Sequence, residues 1–563
     1  MNNHPAADRR SAFDPGPPGG RRGKSARTKL GLRLAALAGA ATLALTACGG
    51  GSDASTGGTT AGGDPVKGGN FVFAEVTPIN QWQTQNARFY EKANVLNSVL
   101  DRLTYFDPET KKLVGWIASD FQSNEDRTEY TFTIRDGVTF SDGSALDSEA
   151  VKANLDAFGK GIESAKIQPN VDFANYDSAS VDGNKVTVKL KKPDANFLRA
   201  TSSVTAGLVS PKTLKLNTAG QSDISKIVGS GPFVYESQIP DQEVKFKARK
   251  EYKWAPETAE NQGAPYLDSF TVKYLAEVGN RAGAVQTGQV DLARGLQPVD
   301  EEAVKGSGNQ VLAVPGLDLT ANVAALRIGS GKLEDVKVRQ ALNAAIDRKT
   351  IKDTVLSDSY TVAASVLNHD APGFVDLSKD LSYDPDKANK LLDEAGWKKG
   401  SDGIRAKDGK KLEITVSTSS NSVVIKPAFE LIEQQWKDVG VKLVNRAADN
   451  TFVVQAQTND QVEIFGTRQF AYGGLGPVFG PANNTQTLHN TADRDELFAK
   501  EQAATDDAEH EKLVADEQKK IAVDDAIALP LWDEVQVYGA HSGAHVEFTT
   551  GTAPILQGAW KEN

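Results

Sequence analysis

Few residues of this 563-residue chain are arranged for catalysis or metal binding. His541 and His545 have the spacing of a helical metal site, but Ser542-Gly543-Ala544 between them is poor helix material and no carboxylate motif lies nearby. Gly23-Lys24-Ser25 resembles the end of a phosphate-binding loop, yet Pro18 stands where that loop needs a glycine. With six histidines and no Gly-x-Ser-x-Gly elbow, we expect neither an enzyme nor a metal or other cofactor. A catalytic carboxylate pair among the 74 acidic residues stays open as an alternative.

The single cysteine, Cys48, stands at the end of an N-terminal export pattern. Residues 1–47 carry six Arg, two Lys and two Asp, and an apolar run follows the basic stretch at 34–45. The run is too short to span a bilayer, which takes ~20 apolar residues, so the pattern predicts a secretory signal. Leu45-Thr46-Ala47-Cys48-Gly49 resembles a bacterial lipobox, in which the cysteine is lipidated and becomes the new N-terminus. An ordinary signal with an incidental cysteine is the alternative.

The segment behind Cys48 is rich in Gly, Ser, Thr and Ala, so residues 48–65 are predicted to form a flexible tether. The whole chain has a net charge of −11, and the signal contributes +6, which leaves −17 for the remainder. Such an acidic body argues against nucleic acid as a partner. No other stretch approaches 18 apolar residues, so we expect a body held to the membrane only through its lipid.

Strands alternate with helices along the body, which predicts a mixed α/β fold with non-local strand pairing. Alternating apolar residues at 130–140 predict a hairpin that turns at Asp136-Gly137, and a second hairpin turns at Asp182-Gly183. In the second half, residues 338–356 carry the apolar face of one helix. Asp384-Pro385 is predicted to start another helix, because Asp caps well and Pro fits the first turn.

Five segments of the body resemble, in the right order, the extracellular solute-binding proteins of family 5. These proteins are the binding components of dipeptide, oligopeptide and nickel ABC importers. The resemblance covers roughly residues 69–537, nearly the whole body. The segments are 132–146 with 150–152, 229–233, 335–348, 383–387 with 394–397, and 517–531.

The resemblance implies an α/β, two-lobed fold of the periplasmic-binding-protein type (class II), with a ligand held between lobes that two crossing strands join. We place the core of lobe I at 66–100, 205–315 and 523–563, its extra domain at 101–204, and lobe II at 316–522. The implied function is capture of a small solute and its delivery to ABC permease subunits, by a monomer anchored on the extracytoplasmic face of the cell membrane. A surface-anchored ligand sensor and a secreted hydrolase are the alternatives.

Ligand contacts in this family come from loops that face the cleft, outside the five segments. The resemblance therefore places candidate ligand-binding residues in the loop around Trp82, in the strand around Arg327, and in the long loop 465–483. Aromatic rings of the first and last of these loops are expected to meet the ligand from opposite walls, although each can instead pack within its own lobe. The candidates in the long loop are Arg468, Phe470 and Tyr472.

The charge of the long loop departs from the pattern of peptide-binding relatives, which carry an acidic residue there for the ammonium group of the peptide. Residues 464–492 contain no Asp or Glu, and Arg468 is their only charged residue when histidine is counted as neutral. Arg468 and Arg327 together predict a ligand with a carboxylate or phosphate, or a neutral ligand, because a guanidinium binds such groups through two parallel hydrogen bonds. Both arginines can also be ordinary surface residues.

The lipobox yields a direct test of the anchor. We expect Cys48→Ser to release the folded body into the medium, because a diacylglyceryl group supplies the two acyl chains that stable membrane attachment requires. Fractionation of cells and medium, with Ser52→Ala in the tether as the matched control, measures the release. A Cys48→Ser variant that stays with the membranes like the unmodified protein contradicts the prediction.

Overall fold

The computed structural model describes residues 64–87, 90–419, 422–449, 452–453, 455, 462–472, 474–480 and 491–562. The predicted signal at 1–47, Cys48, and the tether apart from its last two residues lie outside the described residues. Within the described part of the chain, no helix is both long and apolar enough to cross a membrane.

The structure gives the bounds of 23 strands and 14 α-helices. The strands, in chain order, are β1 (Asn70–Glu75), β2 (Thr104–Phe106), β3 (Leu113–Gly115), β4 (Ala118–Ser123), β5 (Glu129–Ile134), β6 (Tyr176–Asp182), β7 (Lys185–Leu190), β8 (Phe233–Ile239), β9 (Glu243–Ala248), β10 (Ser269–Tyr274), β11 (Leu292–Arg294), β12 (Gln310–Pro315), β13 (Asn322–Leu326), β14 (Lys398–Lys399), β15 (Arg405–Lys407), β16 (Lys410–Lys411), β17 (Glu413–Ser419), β18 (Lys442–Ala448), β19 (Ile464–Thr467), β20 (Ala528–Trp532), β21 (Val535–Ala540), β22 (Ala544–Phe548) and β23 (Pro554–Lys561). The helices are α1 (Tyr90–Leu96), α2 (Ser148–Lys160), α3 (Phe197–Ala200), α4 (Pro211–Leu214), α5 (Thr218–Gln221), α6 (Val278–Gln286), α7 (Pro298–Gly306), α8 (Val336–Ala344), α9 (Arg348–Val355), α10 (Pro385–Glu394), α11 (Ile425–Asp438), α12 (Gly476–Phe479), α13 (Ala492–Ala503) and α14 (Asp507–Lys519).

Lobe I contains a seven-stranded mixed sheet in the order β12-β21-β11-β1-β10-β9-β8. The central strand β1 pairs in parallel with β10 and β11, and the other pairs are antiparallel. A separate four-stranded antiparallel sheet, β4-β5-β7-β6, packs against α2. Tyr130, Phe132 and Ile134 alternate along β5 and are buried against α2 residues such as Phe158. This alternation is what a sheet buried on one face requires.

Lobe II contains a five-stranded sheet in the order β18-β17-β19-β13-β20. Its core joins the sheet to α8, α10 and α11, with the fully buried Trp436 donating its indole N–H to the Leu342 carbonyl at 3.1 Å. The sequence-based limit of lobe II is residue 522, whereas β20 lies beyond it and pairs with β13 in this sheet. The other domain limits stay predictions.

Two short segments carry the chain between the sheets of the two lobes. The first, 316–321, links β12 to β13, and the second, Asp533-Glu534, links β20 to β21. They lie side by side, because the Gly316 N–H donates to the Glu534 carbonyl at 3.0 Å. These crossing segments bring residues of both lobes to one place.

Local predictions from turn and cap residues have mixed outcomes. The Asp182-Gly183 hairpin is confirmed, since Asp182 is paired with Lys185 and Gly183 has a φ of +60°. The hairpin predicted at 130–140 is wrong, because β5 is a central strand between β4 and β7 and the residues after Gly137 do not pair back with it.

Two helix predictions in lobe II also differ in outcome. The start of α10 is confirmed, because the Asp384 side chain accepts the Lys387 N–H at 2.8 Å and Pro385 occupies the first turn. The single helix predicted at 338–356 is instead two helices, α8 and α9. Asp347 divides them, since its side chain accepts the Thr350 N–H at 3.0 Å and so caps α9 rather than continuing α8.

A pair of fully buried carboxyl groups lies where α13 and α14 of lobe II meet the loop before α3 of lobe I. Glu501 accepts a hydrogen bond from Asn196 at 2.7 Å and lies 2.7 Å from Nε2 of His510. Glu517 accepts the Leu475 N–H at 3.2 Å, while its Oε1 has no hydrogen-bond partner among the described residues. Burial, and then the charge of Glu501, raise the pKa of Glu517 well above its usual range.

We expect Glu517→Gln to stabilise the protein in a pH-dependent way. The folded state raises the pKa of Glu517 above the ordinary 4.5, so folding becomes less favourable as the pH rises from 4.5 through the folded pKa. Replacing the carboxyl by a neutral amide should increase the free energy of unfolding at pH 8 by on the order of 1–3 kcal/mol, and less at pH 5.

Denaturant unfolding at the two pH values measures the effect, with the exposed Glu511→Gln on the same helix as the control. An equal gain at both pH values, or a loss of stability at pH 8, contradicts the prediction.

Candidate ligand site between the lobes

The buried carboxylate of Glu534, in the second crossing segment, is the centre of a polar network. Its Oε1 accepts hydrogen bonds from the Tyr90 hydroxyl at 2.6 Å and from Gln536 at 2.7 Å, and lies 3.0 Å from Nε of Arg468. Its Oε2 accepts from Asn322 at 2.6 Å. The donors come from both lobes, because Tyr90 begins α1 in lobe I and Arg468 follows β19 in lobe II.

The network continues into the seven-stranded sheet of lobe I. Gln536 accepts a hydrogen bond from Arg294 at 2.9 Å, and Arg294 binds Glu75 with two parallel hydrogen bonds of 2.7 and 2.8 Å. Asn94 donates to the same carboxylate at 2.7 Å. Glu75 and Arg294 are the last residues of the neighbouring parallel strands β1 and β11. Both side chains therefore lie at the same end of the sheet. In open α/β sheets, ligands bind at the carboxyl ends of the parallel strands.

The charges in this network stabilise one another. The carboxylate of Glu534 raises the pKa of Arg468, which is about one third exposed, above its already high value. Burial, and then the negative charge of Glu534, raise the pKa of Tyr90 well above its usual range, so that its hydroxyl remains a donor. The Arg468 guanidinium lies 5.3 Å from the Tyr90 ring centroid, which adds a cation–π contact.

A small cavity of about 30 Å³ lies beside this network and is lined from both lobes and from the first crossing segment. An ion pair between Arg199 of α3 and Asp318 of the crossing segment forms part of its wall. The Thr550 hydroxyl donates to Asp318 at 2.5 Å, and the Arg199 guanidinium lies 3.6 Å from the ring centroid of Phe106. Burial lowers the pKa of Arg199, and the carboxylate of Asp318 opposes that effect.

Phe470 and Tyr472 line the same cavity from lobe II. Their rings are stacked with centroids 5.3 Å apart and planes at 12°. Residues two apart on an extended segment face the same side, and this segment is extended because Phe470 pairs with Leu319 and the Thr320 N–H donates to the Gln469 carbonyl at 2.9 Å. Both rings pack against Leu319 and Tyr90.

Trp82 and Arg327, two of the residues predicted from sequence, do not line this cavity. Trp82 is buried in the apolar core beside the seven-stranded sheet. Arg327 is buried just after β13, where its backbone N–H donates to the Glu463 carbonyl at 2.8 Å. Trp82 belongs to a different apolar cluster from Phe470 and Tyr472, whose rings pack against Tyr90, so its contact with a ligand stays a prediction.

The structure pairs Arg468 with an acidic residue from outside its own loop. The count of charges in 464–492 was correct, but Glu534 comes from a distant segment and pairs with Arg468 across a sequence separation that the count did not include. Sequence reasoning missed the residues that carry the site's charges. They are Arg102, Arg199, Arg294, Asp318 and Glu534.

Two patterns in the sequence could have indicated some of these residues. Asp101-Arg102 interrupts the otherwise mostly apolar run at 95–103, and Asp533-Glu534 follows the fully buried strand β20 directly. Charged pairs next to buried segments are unusual and therefore informative. In the part of the chain that the structure describes, no three His, Cys, Asp or Glu side chains are grouped so that they could hold a metal ion.

The chain is similar in sequence to characterised binding proteins. It is 26% identical over 418 residues to the glutathione-binding protein GsiB of Escherichia coli (strain K12), covering 71% of this chain and 77% of that protein. It is also 26% identical over 425 residues to the oligopeptide-binding protein AppA of Bacillus subtilis (strain 168), covering 73% of this chain and 75% of AppA.

Solved structures agree with this similarity at the level of the fold. The structure of AppA in complex with a nonapeptide superposes with a TM-score of 0.73 at 21% identity, covering 89% of this chain and 100% of AppA. NikA from Brucella suis in complex with Fe(III)-EDTA gives a TM-score of 0.73 at 22% identity, covering 88% of this chain and 100% of NikA. The predicted two-lobed α/β fold of solute-binding proteins is thereby confirmed.

The sequence model of one protein family, described as bacterial extracellular solute-binding proteins, family 5, middle, matches residues 112–490, more than half of the chain. This match includes parts of both lobes, and four of the five sequence segments that carry the resemblance lie within it. The chain therefore belongs to the bacterial extracellular solute-binding proteins of family 5.

Proposed function

We propose that this protein is the lipid-anchored binding component of an ABC importer. It captures a small solute between its lobes and delivers the solute to permease subunits in the membrane. The lipid on Cys48 holds the protein at the extracytoplasmic face, and the tether at 48–65 lets a monomeric body move between solute and permease.

The observation that carries the proposal is the cavity at the crossing segments, because lobe I contributes charged side chains to it and lobe II contributes aromatic ones. Arg199 comes from lobe I, Phe470 and Tyr472 come from lobe II, and Asp318 lies on the segment between them. A hinge motion about the crossing segments would separate these groups and open a path for a solute. Closure would then bury the solute against both walls, so that affinity depends on both lobes.

We propose that Phe470 and Tyr472 contact the solute directly, because they provide a stacked aromatic wall at low entropic cost. Arg468 acts through Glu534, which it holds in place at the edge of the site. Trp82 and Arg327 support the two lobes from inside their cores.

The solute is proposed to be a peptide-like compound or another organic compound, including an anionic one. GsiB is named for glutathione and AppA for oligopeptides, and the NikA structure contains Fe(III)-EDTA. All three ligands carry carboxylate groups and differ widely in size. A surface sensor with the same ligand site is the second candidate, and genes for permeases and ATPases beside this gene would favour import. Turnover of ester or peptide substrates would instead indicate a hydrolase.

Small-angle scattering tests whether a solute closes the lobes. The protein is unfolded to release any solute that purified with it, the solute is identified by mass spectrometry, and the refolded protein is measured with and without it. We expect a smaller radius of gyration with solute, and a smaller difference in Arg199→Ala, which lacks the ion pair to Asp318. Lys189→Ala on the exposed face of β7 is the control. An unchanged radius at saturating solute contradicts the closure mechanism.

A double-mutant cycle on Arg468 and Glu534 separates a structural role from ligand binding. Because Glu534 is buried, Arg468→Ala leaves a carboxylate without its cation and should lower the free energy of unfolding by about 1–3 kcal/mol. Arg468→Ala combined with Glu534→Gln should cost less than the sum of the single changes, because the two residues interact. Denaturant unfolding measures the three variants. Unchanged stability together with weaker solute binding would contradict the structural role and would indicate that Arg468 contacts the solute directly.

A further inference from the structure

Arg102, on the wall of the interlobe cavity, is a buried cation with unused hydrogen-bonding capacity. Its side chain follows α1 and is 4% exposed. A guanidinium has five N–H donors. One Nη1 donor of Arg102 reaches the Asn97 side-chain oxygen, while Nε has no hydrogen-bond partner among the described residues. One face of the guanidinium lies 4.6 Å from the ring centroid of Trp116, which fixes its orientation.

The acidic groups near Arg102 are engaged elsewhere. The adjacent Asp101 carboxylate accepts from the Trp254 indole at 2.8 Å and from the Tyr252 hydroxyl at 3.2 Å, and it forms no ion pair with Arg102. Asp318, the acid that lines the cavity, is paired with Arg199 and Thr550. Burying a charge without a partner is costly, so Arg102 is the one cation of this cavity whose charge the described residues leave without an ion pair.

Three hydroxyl groups of the cavity already have hydrogen-bond partners. The Ser202 hydroxyl accepts from Arg199 at 2.6 Å and donates to its carbonyl at 2.7 Å. The Ser203 hydroxyl lies 2.6 Å from that of Thr205, and Thr549 accepts the Ala553 N–H at 3.1 Å. These hydroxyls are therefore less available than Arg102 to bind an incoming anion.

Arg102 also lines a second cavity, of about 50 Å³, which lies within lobe I. Its walls are mostly apolar and include Trp116, Tyr252, Pro256 and Leu556. A water molecule needs roughly 10–15 Å³ of cavity volume. The second cavity therefore has room for about three to five water-sized groups, such as methyl groups. The guanidinium thus stands between a polar cavity that reaches both lobes and an apolar cavity that does not.

We infer that Arg102 binds a carboxylate of the solute, and that an apolar substituent next to this carboxylate enters the second cavity. The inference rests on the proposed solute-binding function and names the chemical class of its ligand. A carboxylate can accept two parallel hydrogen bonds from a guanidinium, which uses the donors that Arg102 has available. The C-terminus of a peptide ending in an aliphatic residue and a branched organic acid share this chemistry.

Ligand-detected NMR with two pairs of probes distinguishes these two sources. The first pair is a pool of tripeptides that end in glycine, valine or leucine and the same pool with C-terminal amides. The second pair is isocaproic acid and its amide. We expect the acids to bind on the order of ten- to hundredfold more tightly than the amides, and the tripeptides ending in valine and leucine more tightly than those ending in glycine. Binding of tripeptide acids alone identifies a peptide terminus, and binding of isocaproic acid identifies a non-peptide acid.

Three variants test whether Arg102 causes the preference for acids over amides. Arg102→Gln should lose the preference for acids, and Arg102→Lys, which keeps the charge without the planar guanidinium, should retain part of it. The control is Arg446→Gln, which removes one positive charge from the exposed part of β18. Thermal unfolding checks that each variant is folded, and the comparison of acid with amide on the unmodified protein holds even where a variant does not fold.

Equal binding of acids and amides overturns the inference, as does an Arg102→Gln variant that binds acids like the control variant. Failure of all acids to bind overturns it as well. None of these results contradicts the proposed function, which the change in radius of gyration with the co-purified solute tests separately.

Discussion

The buried carboxylate of Glu534 imposes the constraint on which the interlobe region depends. A buried carboxylate is tolerated only where hydrogen bonds and a counter-ion replace the water it has lost. Glu534 lies on a segment that crosses between the sheets, so its partners must come from both sides, and they do: Tyr90 from lobe I and Arg468 from lobe II. Its backbone is held as well, through Gly316 and Asn368.

This constraint positions the side chains that line the cavity. Arg468, held by Glu534, is two residues before Phe470 and four before Tyr472 on an extended segment, so anchoring the arginine also sets the direction of both rings. Tyr90 contributes its hydroxyl to Glu534 and its ring to the same aromatic cluster. A side chain that donates a hydrogen bond and packs through its ring can couple the polar network to the apolar wall.

The region between the lobes contrasts with the acidic body around it. The chain as a whole carries a net charge of −11, yet the arginines Arg102, Arg199, Arg294 and Arg468 converge on the edge of the lobe I sheet and the adjoining cavity. Glu75, Asp318 and Glu534 neutralise three of them. In this fold, which the chain shares with AppA and NikA, the strands carry the packing while loops and strand ends carry the site.

The sequence by itself determined the family, the mixed α/β class and those local features that depend on neighbours along the chain, such as the Asp384 cap and the Asp182-Gly183 turn. These features could be predicted because a cap or a turn is a contact over a few residues. The lipobox at Cys48 remains a prediction of the same local kind. The resemblance also placed Phe470 and Tyr472 in a loop on the cleft, and both line the interlobe cavity, while their contact with a ligand stays a prediction.

Only the tertiary structure decided the charges and the opposite wall of the site. Tyr90 and Glu534 are 444 positions apart, and Arg199 and Asp318 are 119 apart, so no window of sequence contains both partners. Arg468 is the only charged residue of 464–492, and its partner Glu534 comes from another segment, while the burial of Trp82 in the lobe I core depends on residues far from it in the chain. Electrostatic compensation and burial depend on distance in space, and chain order does not determine that distance before the lobes have folded together.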